Sequence, residues 1–314
     1  MKIEKAAQSR EYMTGLLRRR SVIALCCCVL TLALAFYGII AGVNKTITVL
    51  GANGFVSFTY YTMVSNTLAA LAAAFVLPFA AEGIRRRRFT LPGWVAAAHY
   101  IAAVSIAIMM VFVLAFMSWA CPENAFGGAN LVTHVFCPVL ILVSFFQTEN
   151  GRVYSLRDRL LGVVPFLAYG IVYSIEVWLI GEANGGWTDI YQIKAHVPPA
   201  LAIPALLLIG LIVSSAIAAV SNRLTKARAA RTFRYWSADA DPVEVRIEAY
   251  GLGRMAGLAG EKRGVSIPFD VLEALAERCG LETEELARPY LKGLVNGLGE
   301  KAGEDRRRSP SPRR

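Results

Sequence analysis

Six long apolar stretches, separated by short polar and often basic segments, dominate the hydrophobic pattern of this chain. A helix needs about 20 apolar residues to cross the hydrocarbon core of a bilayer, and each stretch has about that length. The first stretch is too long for a cleavable signal peptide, so we expect it to stay as the first span. We predict an all-α, polytopic membrane protein with six transmembrane helices near residues 22–43, 56–81, 94–118, 127–146, 160–180 and 197–220.

The polar segments divide the chain into three predicted parts. These are an N-terminal segment (residues 1–21), a six-helix transmembrane domain (22–222) and a C-terminal tail (223–314). In the tail, residues 268–278 alternate apolar and charged side chains near a helical period, Gly280 ends that pattern, and Thr283 is a candidate cap of a second helix. Such a short hairpin cannot bury a large core. We therefore predict a small accessory element, followed by a disordered Ser-Pro-Arg end.

Charge predicts how the six helices are oriented. The chain has 314 residues, 55% of them hydrophobic, and a net charge of +10. Basic residues concentrate at 2–20, 85–88, 152–159 and 223–234, whereas the three alternate loops contain only Lys45, no basic residue, and Lys194. Because Lys and Arg are retained on the cytoplasmic side, we predict a cell-membrane protein with both termini in the cytoplasm. The basic clusters lie at span ends, so their expected partners are membrane lipids and not nucleic acid.

Two groups of polar residues interrupt the apolar pattern at a similar depth. Thr62, Ser65 and Asn66 lie in the Tyr-Tyr-Thr-Met-Val-Ser-Asn segment of the second stretch, and His134 is at the centre of residues 130–138 in the fourth. Helical rise places Thr62 and His134 roughly 9 and 10 Å below the predicted span ends. Polar groups are costly in hydrocarbon, so they indicate function. A hydroxyl and an imidazole at matched depth suggest a nucleophile and its base.

Neighbouring polar residues extend this candidate site. Helical periodicity places Asn66 one turn deeper than Thr62 and Asn130 one turn nearer the surface than His134. We expect Asn130 to orient the imidazole, and Asn66 or Ser65 to donate a hydrogen bond to a developing oxyanion.

Three further ionisable residues, one acidic and two histidines, lie in or near the spans. Glu176 is the only acidic residue well inside a span, at a similar depth, and is a candidate to orient His134 or to bind a polar group of the substrate. His99 lies near the cytoplasmic end of the third span and His196 in an outer loop, so neither is expected to pair with the nucleophile. The six cysteines have neither a metal-ligand spacing nor that of a disulfide framework.

The polar residues also allow two other interpretations. Ser, Thr and Asn commonly join transmembrane helices through hydrogen bonds, so Thr62, Ser65 and Asn66 could be packing contacts in a non-catalytic scaffold. They could also line the pathway of a small transporter, although no relay of charged residues continues inward and no inverted repeat is visible.

The two motifs together resemble those of a known family. Thr-x-x-Ser-Asn after a tyrosine pair (residues 60–66) and Asn-Leu-x-x-His-x-x-x-Pro (130–138) are similar to motifs of the androgen-induced membrane protein family of intramembrane threonine hydrolases, which has bacterial six-span relatives. The resemblance covers residues 20–222. It implies hydrolysis of fatty acid esters of hydroxy fatty acids within the membrane, with Thr62 as nucleophile and His134 as catalytic histidine. Such a Thr/His lipid-ester hydrolase needs no metal or organic cofactor.

Overall fold

The computed structural model describes residues 2–86, 91–148, 154–191, 194, 198–232, 242–243, 245–246, 249–250, 253 and 269–308. Helices and the turns between them form this part of the chain, and no strand occurs in it. The predicted all-α class is therefore confirmed.

Six helices are long and apolar enough to cross a membrane, which confirms the predicted number of spans and makes this a multi-pass membrane protein. Spans one to six are Arg18–Val49, Tyr61–Arg85, Gly93–Met117, Ala129–Thr148, Leu156–Ile180 and Leu201–Leu224. Span one packs against spans two and four, span three against two, four and five, and span six against five. We call the side at which spans two, four and six begin the distal side.

The helices are not uniform along these spans. The long α-helices are Lys2–Leu50, Tyr61–Arg86, Gly93–Phe112, Cys137–Thr148, Leu156–Ser174 and Pro199–Thr232. π-helical turns complete spans three, four and five on the distal side, at Val113–Met117, Val132–Phe136 and Ile175–Ile180. Between the spans lie the short helices Ser118–Ala120 and Pro122–Phe126 and the 3₁₀ turns Gly54–Thr59 and Glu182–Asn184, whereas the short helix Ala129–Leu131 begins span four. No helix boundary separates residues 1–21 from span one, because the first helix begins at Lys2.

Span two begins later than its hydrophobicity predicts. The apolar pattern starts near residue 56, whereas the helix starts at Tyr61. The preceding residues form a separate 3₁₀ turn, in which Asn53 caps the N–H of Phe55 at 3.1 Å and the hydroxyl of Ser57 donates to the carbonyl of Gly54 at 2.6 Å. Such side chain–backbone hydrogen bonds compete with a continuous helix. The consequence is that Thr62 lies in the first turn of span two. The predicted depth of roughly 9 Å below the span end is therefore wrong for Thr62, because it assumed the earlier helix start.

The core away from the distal side is aromatic. Tyr100 stacks on Tyr154 with ring centroids 4.3 Å apart, and both rings contact Phe145. The hydroxyl of Tyr100 is also 2.8 Å from that of Ser214 in span six. These contacts join spans three, four and six.

The tail contains a small core of its own. Phe269–Arg278 and Thr283–Arg308 are separated by a turn at Gly280, whose φ of +65° suits glycine. Thr283 is the first residue of the second helix and not its cap; the carboxylate of Glu285 instead accepts the N–H of Glu282 at 3.1 Å. The tail core also includes Val245 and Ala249, which lie outside the predicted hairpin; its members are Val245, Ala249, Leu272, Leu275, Ala276, Cys279, Leu286 and Tyr290. The predicted Ser-Pro-Arg end lies outside the described residues.

Candidate active site

Thr62 occupies the second position of span two, on the distal side of the bundle. The N–H groups of a first helical turn have no intrahelical acceptor, and the helix dipole is positive there. The side chain of Thr62 is half-buried, whereas those of Ser65 and Asn66 are buried. The hydroxyl is therefore held among helices and is still partly accessible.

His134 lies in a π-helical turn of span four, and Pro138 helps to explain the turn. Proline has no N–H, so Pro138 cannot donate to the carbonyl of His134, four residues earlier. The N–H of Cys137 instead donates to the carbonyl of Val132, five residues earlier. Single π turns are frequent at functional sites because they change the direction of side chains. The imidazole that this turn carries is buried.

The structure brings Thr62 and His134 together. The Oγ1 of Thr62 lies 3.3 Å from the Nε2 of His134, across 72 positions of sequence. The Nδ1 of the same ring lies 2.7 Å from the carbonyl oxygen of Ala125. A carbonyl oxygen only accepts, so Nδ1 carries the proton and Nε2 of the neutral ring has a free lone pair. The Thr62 hydroxyl therefore donates to His134.

Ser65 and Asn66 have other partners than the predicted oxyanion. The hydroxyl of Ser65 and the amide of Asn66 both donate to the carbonyl of Thr62, at 3.1 and 2.8 Å. The Asn66 amide also donates to the carbonyl of Thr133 at 3.2 Å, which joins span two to the π turn beside His134. These two residues thus hold the backbone on which Thr62 and His134 are mounted.

Asn130 acts one step away from the imidazole. Its amide donates to the carbonyl of Asn124 at 2.7 Å, and the next residue, Ala125, supplies the oxygen that holds Nδ1 of His134. Asn130 was expected to contact His134 directly, but the backbone carbonyl of Ala125 makes this contact instead. Sequence reasoning missed Ala125 because every residue has a carbonyl; the only available sign was a short segment bounded by Pro122 and by Gly127-Gly128.

The other ionisable candidates are not brought to this pair. Glu176 lies in the π turn Ile175–Ile180, half-exposed, and within the described chain its carboxylate forms no hydrogen bond or ion pair. His99 is fully buried and contacts the hydroxyl of Thr148 at 3.2 Å, on the side opposite the distal one. His196 lies outside the described residues.

Aromatic side chains surround the start of span two. They were not among the site residues predicted from the sequence. The ring of Tyr61 contacts those of Phe166 and Tyr169 with centroids about 5 Å apart (5.1 and 5.0 Å). The N–H of Tyr61 donates to the hydroxyl of Tyr191 at 3.0 Å. Tyr191 belongs to the segment between spans five and six, so that segment contacts the residue next to Thr62.

Comparison with known proteins adds no relative. No family model, curated protein or solved structure matches this chain. Among the residues described above, no group of three or more His, Cys, Asp or Glu side chains could hold a metal ion. The geometry of the site is therefore the basis on which a function can be proposed.

Proposed function

We propose that this protein is an intramembrane hydrolase of lipid esters, with Thr62 as the nucleophile and His134 as its general base. The strongest support comes from the two contacts of the His134 imidazole. Its Nε2 lies 3.3 Å from the Thr62 hydroxyl, and its Nδ1 lies 2.7 Å from the carbonyl oxygen of Ala125. A nucleophile bonded to a base that a third group orients is the recurrent arrangement of covalent hydrolases.

In the proposed acylation step, Oγ1 of Thr62 adds to the ester carbonyl while Nε2 of His134 takes its proton. The resulting tetrahedral oxyanion collapses, the bond to the leaving alkoxide breaks, and His134 returns the proton to that oxygen as the alcohol departs. Water then adds to the acyl-threonine with His134 again as base. The bond to Thr62 breaks, which releases a carboxylic acid and restores the hydroxyl.

The start of span two offers electrostatic stabilisation to the oxyanion. Ser65 and Asn66 are engaged by the carbonyl of Thr62, so we assign this role to the first-turn backbone and not to their side chains. The N–H of Tyr61 is taken by Tyr191 and that of Met63 by the carbonyl of Tyr60, which leaves the N–H of Thr62 itself as the nearest donor. The positive end of the helix dipole adds to it.

The proposed substrates are lipid esters, among them fatty acid esters of hydroxy fatty acids, which enter from the bilayer. The pair lies within the spans, and large side chains such as Phe36, Tyr37 and Phe136 on spans one and four are exposed on the surface of the helices. We further propose that both termini are cytoplasmic and that the distal side is the outer side of the cell membrane, because the basic clusters flank the opposite span ends.

The proposal is tested with purified protein, a fluorophosphonate probe and a fatty acid ester of a hydroxy fatty acid. Thr62→Ala should abolish labelling and hydrolysis, whereas Thr62→Ser should keep part of both because the hydroxyl remains. Thr67→Ala is a matched control, since the Thr67 hydroxyl only donates to the carbonyl of Met63 one turn earlier in the same helix. Undiminished hydrolysis by folded Thr62→Ala protein would refute the proposal.

A further inference from the structure

The first turn of span two is capped from a distant part of the chain. A helix normally receives an acceptor for its first N–H groups from the side chain just before it, most often Ser, Thr, Asp or Asn. That position is held by Tyr60, whose side chain is exposed. The acceptor is instead the hydroxyl of Tyr191, 130 positions later, at 3.0 Å from the N–H of Tyr61.

Tyr191 is itself held by other spans, so its hydroxyl has a defined place. Its N–H donates to the hydroxyl of Tyr173 in span five at 3.2 Å, and that hydroxyl donates to the carboxylate of Asp189 at 2.8 Å. The ring of Tyr191 meets Phe112 of span three edge-on, with centroids 5.5 Å apart. Spans three and five thus position the group that caps span two.

Span five contacts the same stretch of backbone a second time. The hydroxyl of Tyr169 donates to the carbonyl of Thr59 at 2.6 Å, and its ring packs on Tyr61. The chain is therefore held at both residue 59 and residue 61. The next residue is Thr62, whose hydroxyl reaches His134 across 3.3 Å. A small displacement of this turn would break that contact, since alignment of a nucleophile and its base tolerates little misplacement.

We infer that Tyr191 is a positioning residue for Thr62, whose hydroxyl caps the first turn of span two and so holds the nucleophile at hydrogen-bonding distance from its base. This inference rests on the proposed function. Burial raises the pKa of the Tyr191 phenol above the ordinary tyrosine value, so the hydroxyl stays neutral at any pH at which the enzyme would work. The segment between spans five and six thereby influences the reaction through the first turn of span two.

The test is Tyr191→Phe in the full-length protein, which keeps the ring and removes only the capping oxygen. Turnover should fall about three- to tenfold with KM within about twofold, since one hydrogen bond is lost and substrate contacts remain. Tyr100→Phe is the matched control: it also removes a buried hydroxyl bonded between spans, to Ser214, but far from the distal side. It should leave turnover unchanged.

Amide hydrogen exchange of the peptide covering residues 59–65 gives a readout that is independent of activity. Exchange should be faster in Tyr191→Phe and unchanged in Tyr100→Phe, because only the first variant uncaps this turn. Unchanged exchange, or turnover within about twofold of the unsubstituted protein, overturns the inference. If the unsubstituted protein hydrolyses no ester, the proposed function fails, and the exchange rates alone decide whether Tyr191 holds the turn. Should Tyr191→Phe not fold, Tyr173→Phe removes the partner of the Tyr191 backbone, and a smaller change of the same sign is expected.

Discussion

At the residue scale, two buried histidines each contact a threonine, but the protons are placed differently. The hydroxyl of Thr148 donates to the carbonyl of Phe145 at 3.0 Å and also contacts Nδ1 of His99 at 3.2 Å. The hydroxyl of Thr62 donates to His134, because the other ring nitrogen is held by a carbonyl. Only the second arrangement leaves a hydroxyl whose proton can pass to the ring.

This difference predicts opposite results for two similar substitutions. His134→Ala should lower turnover by about 10²–10⁴, the usual worth of general acid–base help. His99→Ala should lower thermal stability, because it removes a fully buried side chain, but leave turnover nearly unchanged. Turnover and melting temperature of both variants give the comparison. A loss below about tenfold in folded His134→Ala would favour the packing interpretation of both residues.

Thr62 and His134 are also expected to act as one unit. When either residue of such a pair is removed, the other has little left to contribute, so the losses are not additive. The double alanine variant should therefore be little slower than the worse single variant. If the fold loss in turnover of the double variant is close to the product of the fold losses of the two single variants, the residues act independently.

At the element scale, span one presses against both helices that carry the site. A β-carbon on Gly38 would lie 2.2 Å from the Cγ2 of Thr133, the residue before His134. A β-carbon on Gly42 would lie 1.6 Å from the terminal methyl of Met63, the residue after Thr62. Small residues let transmembrane helices approach closely. Span one therefore packs against the neighbour of His134 and the neighbour of Thr62, and so restricts the position of both.

The two glycines predict a graded effect of alanine substitution. Met63 ends in a flexible thioether that can rotate away, whereas Thr133 is short and its hydroxyl lies 3.3 Å from the carbonyls of Ala129 and Asn130. Gly38→Ala should therefore cost about 1–3 kcal/mol of stability and at least about tenfold in turnover, since it displaces the π turn. Gly42→Ala should cause a smaller loss of both stability and turnover. Equal effects would mean that the π turn adjusts freely.

The elements also show which parts of the site the sequence could predict. Six spans follow from length and hydropathy, and the meeting of Thr62 with His134 was expected from their matched depth. The late start of span two depends on hydroxyl–backbone bonds in Gly54–Thr59, and the imidazole is held by a carbonyl, so neither changes the hydrophobic pattern. The capping by Tyr191 joins residues 130 positions apart, and no local periodicity records such a contact.

At the scale of the whole molecule, orientation is best tested with a cysteine that reagents can reach. Cys279 is buried in the tail core and would react slowly on either side, whereas Cys121 is exposed in the connection between spans three and four on the distal side. We expect an impermeant maleimide to label intact cells, and Cys121→Ser to remove that labelling. Labelling of Cys121 only after permeabilisation would reverse the proposed orientation.

The membrane domain is expected to carry out the reaction without the tail. The described members of the tail core lie between residues 245 and 290, and the tail helix Phe269–Arg278 also contacts the long helix Pro199–Thr232. The site is built from spans two and four with support from spans one, three and five. The two lie at opposite ends of the spans, because span six begins on the distal side and leads into the tail. A chain that ends after residue 235 should therefore keep both ester hydrolysis and labelling by the probe, with less protein accumulating. Size-exclusion profile and melting temperature establish that the shortened protein is folded. If it is folded yet inactive, the tail takes part in the reaction from across the membrane, and the site proposed here is incomplete.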